Sequence, residues 1–377
     1  MKIREITCVG LRGRTPEGGW SNELKPEDCV HTLIAVHTGD GAVGFGSVFT
    51  NDGLVRAALA VMEPLWRGEN ALEPERVSEK LHQHTFWLGR GGSLTHTISG
   101  IDIALWDILG KATGQPVGRL LGGRSRERVR PYASLLMDEP EKLRDHLLAV
   151  KAQGFRAFKI GWGPFGRRST RVDQAIVAAA REAIGPESQL MVDAGASDAF
   201  WNHGYKWALQ TAAMLAEYDV AWFEEPLVPD ALADYARLRE HAMVPVAGGE
   251  VLTRRQSFDP WFAAGALDIV QPDATKVGGL SESRKIGWAA QAHGVRLIPH
   301  GWNTAVGLAA DLQLVSALPS SNFVEYLTGS PFVDEIVTVP WKLDADGMLE
   351  IPSRPGLGIS LDRDAVKALT AEEGFFG

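Results

Sequence analysis

Cysteine is nearly missing from this 377-residue chain, with Cys8 and Cys29 the only two. Two thiols cannot supply the disulfide framework of a small exported domain, so that class is excluded and both read as small buried hydrophobes. Long apolar runs are missing too: no uncharged stretch approaches the roughly 20 residues that a membrane span takes. The opening MKIREITCVG lacks the apolar segment of a signal peptide. The reading is a cytoplasmic protein with no membrane partner. Positive charge is scarce, 38 Lys and Arg against 47 Asp and Glu for a net −9, which argues against nucleic acid. It does not argue against a small anion, because the local field of a cleft outweighs the total charge. Nothing fits the G-x-x-x-x-G-K phosphate loop, the G-x-S-x-G nucleophile elbow or a cysteine-based zinc pattern.

What is present falls into two rhythms. Up to about residue 50 the chain reads as strands and loops, with HTLIAVHTGDGAVGFGSVF forming two runs around a Gly-Asp-Gly turn. Ahead of it, TPEGGWSNELKPED reads as a long loop that holds Trp20. Residues 55–67 and 72–90 carry helical apolar repeats, and a stronger helix runs from Ser93 to Gly114, where GQP stops it. Strands first and helices afterwards is an α+β order. GGRSRERVRP reads as a linker. From Val129 strands and helices alternate, with strands at VRPYASLL, RAFKIGW, QLMVDAG, VAWFEEP, PVAGGE, DIVQPD, RLIPHG and NFVEYL. Eight is the number a (β/α) barrel needs. Past Glu325 the pattern dissolves into short Pro- and Gly-rich strands, too few for a core of their own and expected to pack back on the first domain.

An ionisable residue closes one barrel strand after another: Asp193, Glu224, Glu250, Asp273, His300 and Glu325, spaced by 23 to 31 residues. Each spacing is about one strand plus one crossover helix. Since every apolar run precedes its charge, all six groups are expected at C-terminal strand ends, which converge on one mouth in a barrel. A recurring charge of this kind is a constructed site.

SGIDIALWDILGKATGQPVGRLLGG, VDAG, WFEEP, GGE, QPDATKVGG and IPHG, in that order, resemble the mandelate racemase subgroup of the enolase superfamily. The resemblance covers nearly the whole chain. It implies an α/β fold, a (β/α)7β modified TIM barrel with an α+β capping domain built from both termini: residues 1–125 capping, 126–327 barrel, 328–377 returning tail. It implies removal of the proton α to a carboxylate, with Mg²⁺ holding the enediolate. Symmetric dimers or octamers are common in the family, so a homo-oligomer is expected.

Asp193, Glu224 and Glu250 then form a set of hard oxygen ligands suited to Mg²⁺, whose charge also offsets their mutual repulsion. Within FEEP, strand alternation sends Glu224 and Glu225 to opposite sides, and the resemblance favours Glu224 as the ligand. Asp273 and His300 end consecutive strands. A carboxylate that accepts from one imidazole nitrogen leaves the other as a general base or acid. This pair points to the racemase-like branch, because the muconate-lactonizing branch carries a lysine where Asp273 stands. Lys276 matches both branches and does not discriminate.

The second barrel strand departs from the family's KxK pair. GFRAFKIGW offers Lys159 followed by Gly161, so Lys159 matches the first lysine when counted from GFRA and the second when counted back from KIGW. Either way one lysine enters the barrel from this strand. Two-base racemisation loses ground, and a dehydratase using His300 gains it, with Lys159 stabilising charge. Glu325 matches the family's last acid; to donate to the substrate it must be protonated, which burial near other anions favours. Substrate contacts are expected from Trp20, Asn22, Trp162, Trp302 and Asn303, with Thr50 and Asn51 closing from the cap and Arg167 and Arg168 meeting distal groups. The function read from these residues is a Mg²⁺-dependent lyase that dehydrates an aldonic or aldaric acid, a small carboxylate. The competitors are a lactone or anhydro-acid cycloisomerase, an epimerase or racemase, and a metal-binding barrel without turnover.

Overall fold

The computed structural model describes residues 1–13, 29–197, 201–370 and 375–376. The chain opens with an antiparallel sheet of β1 (Ile3–Leu11), β2 (His31–Thr38) and β3 (Val43–Val48). Helices α1 (Asp52–Trp66), α2 (Pro74–His84), α3 (Gly92–Thr113) and the short α4 (Val117–Leu120) follow. The helical pattern expected to 90 stops early: a 3₁₀ turn at Phe86–Leu88 follows α2, and glycines from 89 onward release the chain. Asn51 caps α1 by accepting from the Gly53 amide, which sets that helix's start.

The alternating half forms as read. Its strands are β4 (Arg128–Leu136), β5 (Ala157–Gly161), β6 (Gln189–Asp193), β7 (Val220–Glu224), β8 (Val246–Gly248), β9 (Ile269–Val270), β10 (Arg296–Leu297) and β11 (Phe323–Leu327). Between consecutive strands lie α5 (Pro140–Ala152), α6 (Thr170–Ile184), α7 (Tyr205–Glu217), α8 (Leu232–His241), α9 (Arg255–Ala264), α10 (Gly279–Ala292) and α11 (Ala305–Ala317). Each strand pairs in parallel with the next up to β10, and β11 returns to pair with β4. This curl is the (β/α)7β arrangement. The tail adds α12 (Pro331–Asp334), β12 (Leu349–Glu350) and α13 (Arg363–Ala368); β12 joins β4, and the end of the tail meets the first sheet, where the Arg12 amide donates to Leu369. The tail is thus partly helical, where its Pro and Gly content suggested strands alone.

The barrel's interior explains where the site must lie. Tyr132, Ala157, Met191, Trp222, Ala247, Ile269, Ile298 and Phe323 form one buried apolar cluster, one residue from each strand or its immediate end. They plug the barrel from below. Side chains alternate along a strand, so the next inward position is two residues on. In β5, β6, β7 and β11 those positions are Lys159, Asp193, Glu224 and Glu325, and just beyond β10 it is His300. Polar chemistry begins where the apolar layer ends.

Two sequence motifs turn out to be one interface. Asp102 of α3, fully buried, accepts from the Ser281 amide at 3.0 Å and from Ser78 Oγ at 2.7 Å; Ser281 Oγ also donates to it. Ser99 Oγ accepts from the Gly278 amide at 2.8 Å, and Trp106 Nε1 donates to Ser281 Oγ at 3.0 Å. Thus SGIDIALW of the cap grips the start of α10 in VGGLS. Gly279 has φ +83°, and a Cβ there would lie 2.3 Å from Asp102 Oδ1, so this approach requires glycine.

Burial pushes the Asp102 carboxyl up to about 6, against the hydrogen bonds from Ser281 and Ser78 that favour its charge. Its folded value exceeds its unfolded one, so the folded state binds the extra proton and stability falls as pH rises from about 4 to 6. Asp102→Asn removes that component. The urea-unfolding difference between wild type and variant is expected to shift by about 2 kcal/mol between pH 4.5 and 6.5 in the variant's favour.

Candidate active site

Adjacent-strand register brings the first acids together: Asp193 pairs with Glu224 across β6 and β7, and Glu224 with Ala247 of β8. Glu250 stands just past β8. One carboxylate oxygen from each of Asp193, Glu224 and Glu250 lies within 4.8 Å of the others, and all three residues are buried. Burial, with the charges of Glu224 and Glu250, pushes the Asp193 carboxyl well above the usual carboxylate range. Three hard oxygens that repel one another in a buried site fit a cation. The cluster could hold a metal ion.

Lys159 is the cation in direct contact with Glu224. Its Nζ donates to Glu224 Oε1 at 2.6 Å and stands 3.0 Å from Glu325 Oε1 and 3.9 Å from Asp193 Oδ2. The contact with Glu325 is an ion pair without hydrogen-bond alignment. Burial works against the ammonium, but Glu224 and Glu325 outweigh it and hold its pKa well above the ordinary value. Lys159 is therefore a fixed positive charge.

Glu325 lies in the middle of β11, not at its end, opposite Tyr132 of β4. Lys159 likewise occupies the middle of β5. The two meet beside Glu224, which also accepts from Lys159. Glu325 Oε2 accepts from the Gly301 amide at 2.7 Å and from the Tyr132 hydroxyl at 3.1 Å. Burial alone would raise its pKa, but Lys159, His300, the Ser134 hydroxyl and the Gly301 amide hold the carboxyl down at about 2. The expected protonated form is corrected: with an ammonium 3.0 Å away, Glu325 is a carboxylate.

His300 Nδ1 lies 2.8 Å from Asp273 Oδ2, and Nε2 lies 3.2 Å from Glu250 Oε2. Asp273 Oδ1 is filled by the amide and hydroxyl of Thr275, at 2.7 and 2.6 Å, which leaves Oδ2 for the imidazole. Burial opposes the Asp273 charge, yet the His300 hydrogen bond and Lys276 hold its carboxyl down at about 2. Burial lowers His300 while Glu250, Glu325 and Asp273 raise it, for a net upward shift. The acid orients the ring, and the ring faces the carboxylate cluster.

Gly161 has a steric reason. A Cβ there would sit 3.0 Å from Asp193 Cβ and 3.2 Å from its Oδ2. A second lysine at this position would press on Asp193, whose Oδ2 instead accepts from Trp162 Nε1 at 3.1 Å. Trp162 adopts φ 63°, a left-handed conformation for a bulky residue, and its ring lies against Gly195. The indole thus contacts a candidate ligand directly. Trp302 is half-buried beside the mouth. Asn303 is buried, its amide directed at Asp311 and at Gly307 in the first turn of α11. Arg167 donates to the carbonyls of Phe165, Ala194 and Gly195, and Arg168 pairs with Glu139 at 2.5 Å. Trp20 and Asn22 lie outside the described residues.

Sequence reasoning missed the groups that hold Glu224. Trp222 Nε1 and Gln271 Nε2 both donate to its Oε2, at 2.9 and 2.7 Å. The signal was available in strand alternation, since Trp222 stands two before Glu224 and Gln271 two before Asp273. Glu225 has φ 41°; burial and the charges of Glu250 and Asp193 raise its pKa well above normal, and Ser197 donates to it.

A curled parallel barrel, a cap and a buried acid triad facing a His–Asp pair define a barrel of the enolase type. Residues 142–365 match the family model described as enolase C-terminal domain-like, and residues 27–122 the mandelate racemase / muconate lactonizing enzyme N-terminal domain. The chain belongs to the mandelate racemase subgroup of the enolase superfamily. It is 37% identical to a D-galactarolactone cycloisomerase of Agrobacterium fabrum, over 97% of this chain and 98% of that one. It is 34% identical to an arabinonate dehydratase of Saccharolobus solfataricus, over 90% of each. The crystal structure of a 3,6-anhydro-D-galactonate cycloisomerase from Zobellia galactanivorans superposes with TM-score 0.87 at 32% identity, covering 99% of this chain and 100% of the other.

Proposed function

We propose that the protein is a Mg²⁺-dependent enzyme that removes the proton α to the carboxylate of a sugar acid and then expels the β-hydroxyl. The observation that carries this reading is His300, held by Asp273 and facing the buried triad of Asp193, Glu224 and Glu250. The family membership and the sugar-acid relatives support the substrate class. Asp193, Glu224 and Glu250 would hold the magnesium, which would supply positive charge to offset the negative charge that develops on the substrate's carboxylate.

The chain's own residues account for the rest. His300 Nε2 takes the C2 proton while Nδ1 donates to Asp273, and the C–H electron pair enters the enediolate. Collapse of the enediolate breaks the C3–O bond, and His300 returns its proton to the departing hydroxyl, giving water. The enol that remains tautomerises to the 2-keto-3-deoxy acid. Lys159, engaged by two carboxylates, stabilises negative charge without exchanging protons. With Gly161 where a second lysine would stand, β5 supplies a single amine, so a one-base elimination is favoured over racemisation.

Arabinonate, xylonate, galactonate and galactarolactone incubated with the full chain and Mg²⁺ test the reading by 2-keto acid assay. Keto acid from an open-chain acid with release of one water is the expected result. Keto acid from the lactone alone, with no loss of mass, moves the reading to a cycloisomerase. Solvent deuterium at C2 with no keto acid moves it to an epimerase, and silence with every acid overturns it.

A further inference from the structure

Lys276 lies on the seam between barrel and cap and is only 6% exposed. Its ammonium has ionic neighbours, Glu250 Oε1 and Asp273 Oδ2, each 3.7 Å away, beyond hydrogen-bond range. Phe49 of the cap covers it, with Nζ 4.3 Å from the ring centroid. Among the described residues this buried ammonium donates no hydrogen bond. A group with three donors in that position is costly unless something accepts from it.

The same Phe49 anchors an acceptor. His96 of α3 places Nδ1 3.2 Å from the Phe49 carbonyl and 2.6 Å from Thr50 Oγ1. A carbonyl can only accept, so Nδ1 carries the proton and the neutral ring presents Nε2 as a lone pair. Burial and the nearby Lys276 charge hold the imidazole down at about 4, so the neutral form persists at physiological pH. Nε2 has no partner among the described residues. Its neighbour His31, 1% exposed and edge-on to Phe49, has an unpartnered Nδ1 as well. The seam thus holds a fixed donor and a fixed acceptor beside the same aromatic ring, close to the Asp273–His300 pair.

We propose that Lys276 and His96 form a hydroxyl-reading subsite: Lys276 donates to, and His96 Nε2 accepts from, one hydroxyl of a polyhydroxy acid, with Phe49 packing on the adjacent C–H face. The proposal rests on the sugar-acid reading for its ligand class but not on turnover. A carboxylate cannot replace the hydroxyl here, because it has no proton to give His96. A built site of this kind rejects ligands that lack the hydroxyl, since its polar groups are then left unpaired.

The test is calorimetric binding to the Mg²⁺-loaded full chain, comparing arabinonate, xylonate and galactonate with lactate, which keeps the carboxylate and α-hydroxyl but lacks the polyol chain. Wild type is expected to prefer at least one polyol acid over lactate by about a hundredfold. His96→Phe and Lys276→Met should each lower that ratio by about tenfold, the size of one lost hydrogen bond. The double variant should lose the whole hundredfold preference, because the hydroxyl then has neither partner. Comparing ratios cancels the effect of the lysine charge on the shared carboxylate. His96→Asn guards against a folding defect in the Phe variant, and unchanged thermal midpoints confirm the fold. Equal losses for lactate and polyol acids, no loss, a double variant that keeps the preference, or a wild type without polyol preference would each overturn the subsite. A wild type that binds with the expected preference but never yields keto acid would sink the reaction and leave the subsite standing.

Discussion

His300→Asn is expected to lower turnover by about 10²–10⁴-fold, the range for removing a general base, while the fold and Mg²⁺ affinity remain. Asn retains a donor toward Asp273 but has no nitrogen that can accept the C2 proton. The imidazole is 5% exposed and lies outside the apolar plug beneath it. The thermal midpoint should move by no more than a few degrees. Steady-state kinetics on whichever sugar acid yields keto product, with circular dichroism alongside, decides it. A variant within a factor of three of wild type would remove His300 from the reaction.

The second large effect reverses sign with the metal. Asp193→Asn neutralises an acid whose carboxyl is pushed well up by burial and by Glu224 and Glu250. Without Mg²⁺ the variant should be at least as stable as wild type, because one buried repulsion is gone. With Mg²⁺ the order should invert. Wild type gains about 2.7 kcal/mol at a hundred times its dissociation constant, and the variant should gain little and turn over at least about a thousandfold more slowly. Thermal melts in EDTA and in millimolar Mg²⁺ measure both halves. Equal Mg²⁺ stabilisation of the two proteins would show that the triad does not hold the ion.

The train of strand-end charges was legible because barrel strands announce themselves as apolar runs followed by a polar stop. That pattern located Asp193 and Glu224 at strand ends and Asp273 beside His300. Depth within the barrel was not legible. Glu325 and Lys159 occupy the middle of their strands, and only the 3.0 Å contact between their side chains shows that they meet. Their contact reversed the expected protonation of Glu325, since a sequence does not show which cation stands next to which acid. Gly161 appeared as a missing lysine, whereas in three dimensions it lies close against Asp193. The pairing of SGIDIALW with VGGLS joins residues 179 apart in sequence, a distance no local pattern spans. His96 was not singled out because a lone histidine inside a strong helix carries no periodic signal.

The central claim is that one imidazole removes an α-proton beside a metal-binding triad. Release of deuterium to water from C2-deuterated arabinonate, xylonate and galactonate, followed by NMR, measures that step alone. The account predicts release from at least one acid, dependent on Mg²⁺ and lost in His300→Asn. No release from any of them, or release at the wild-type rate in His300→Asn or in metal-free protein, would contradict it.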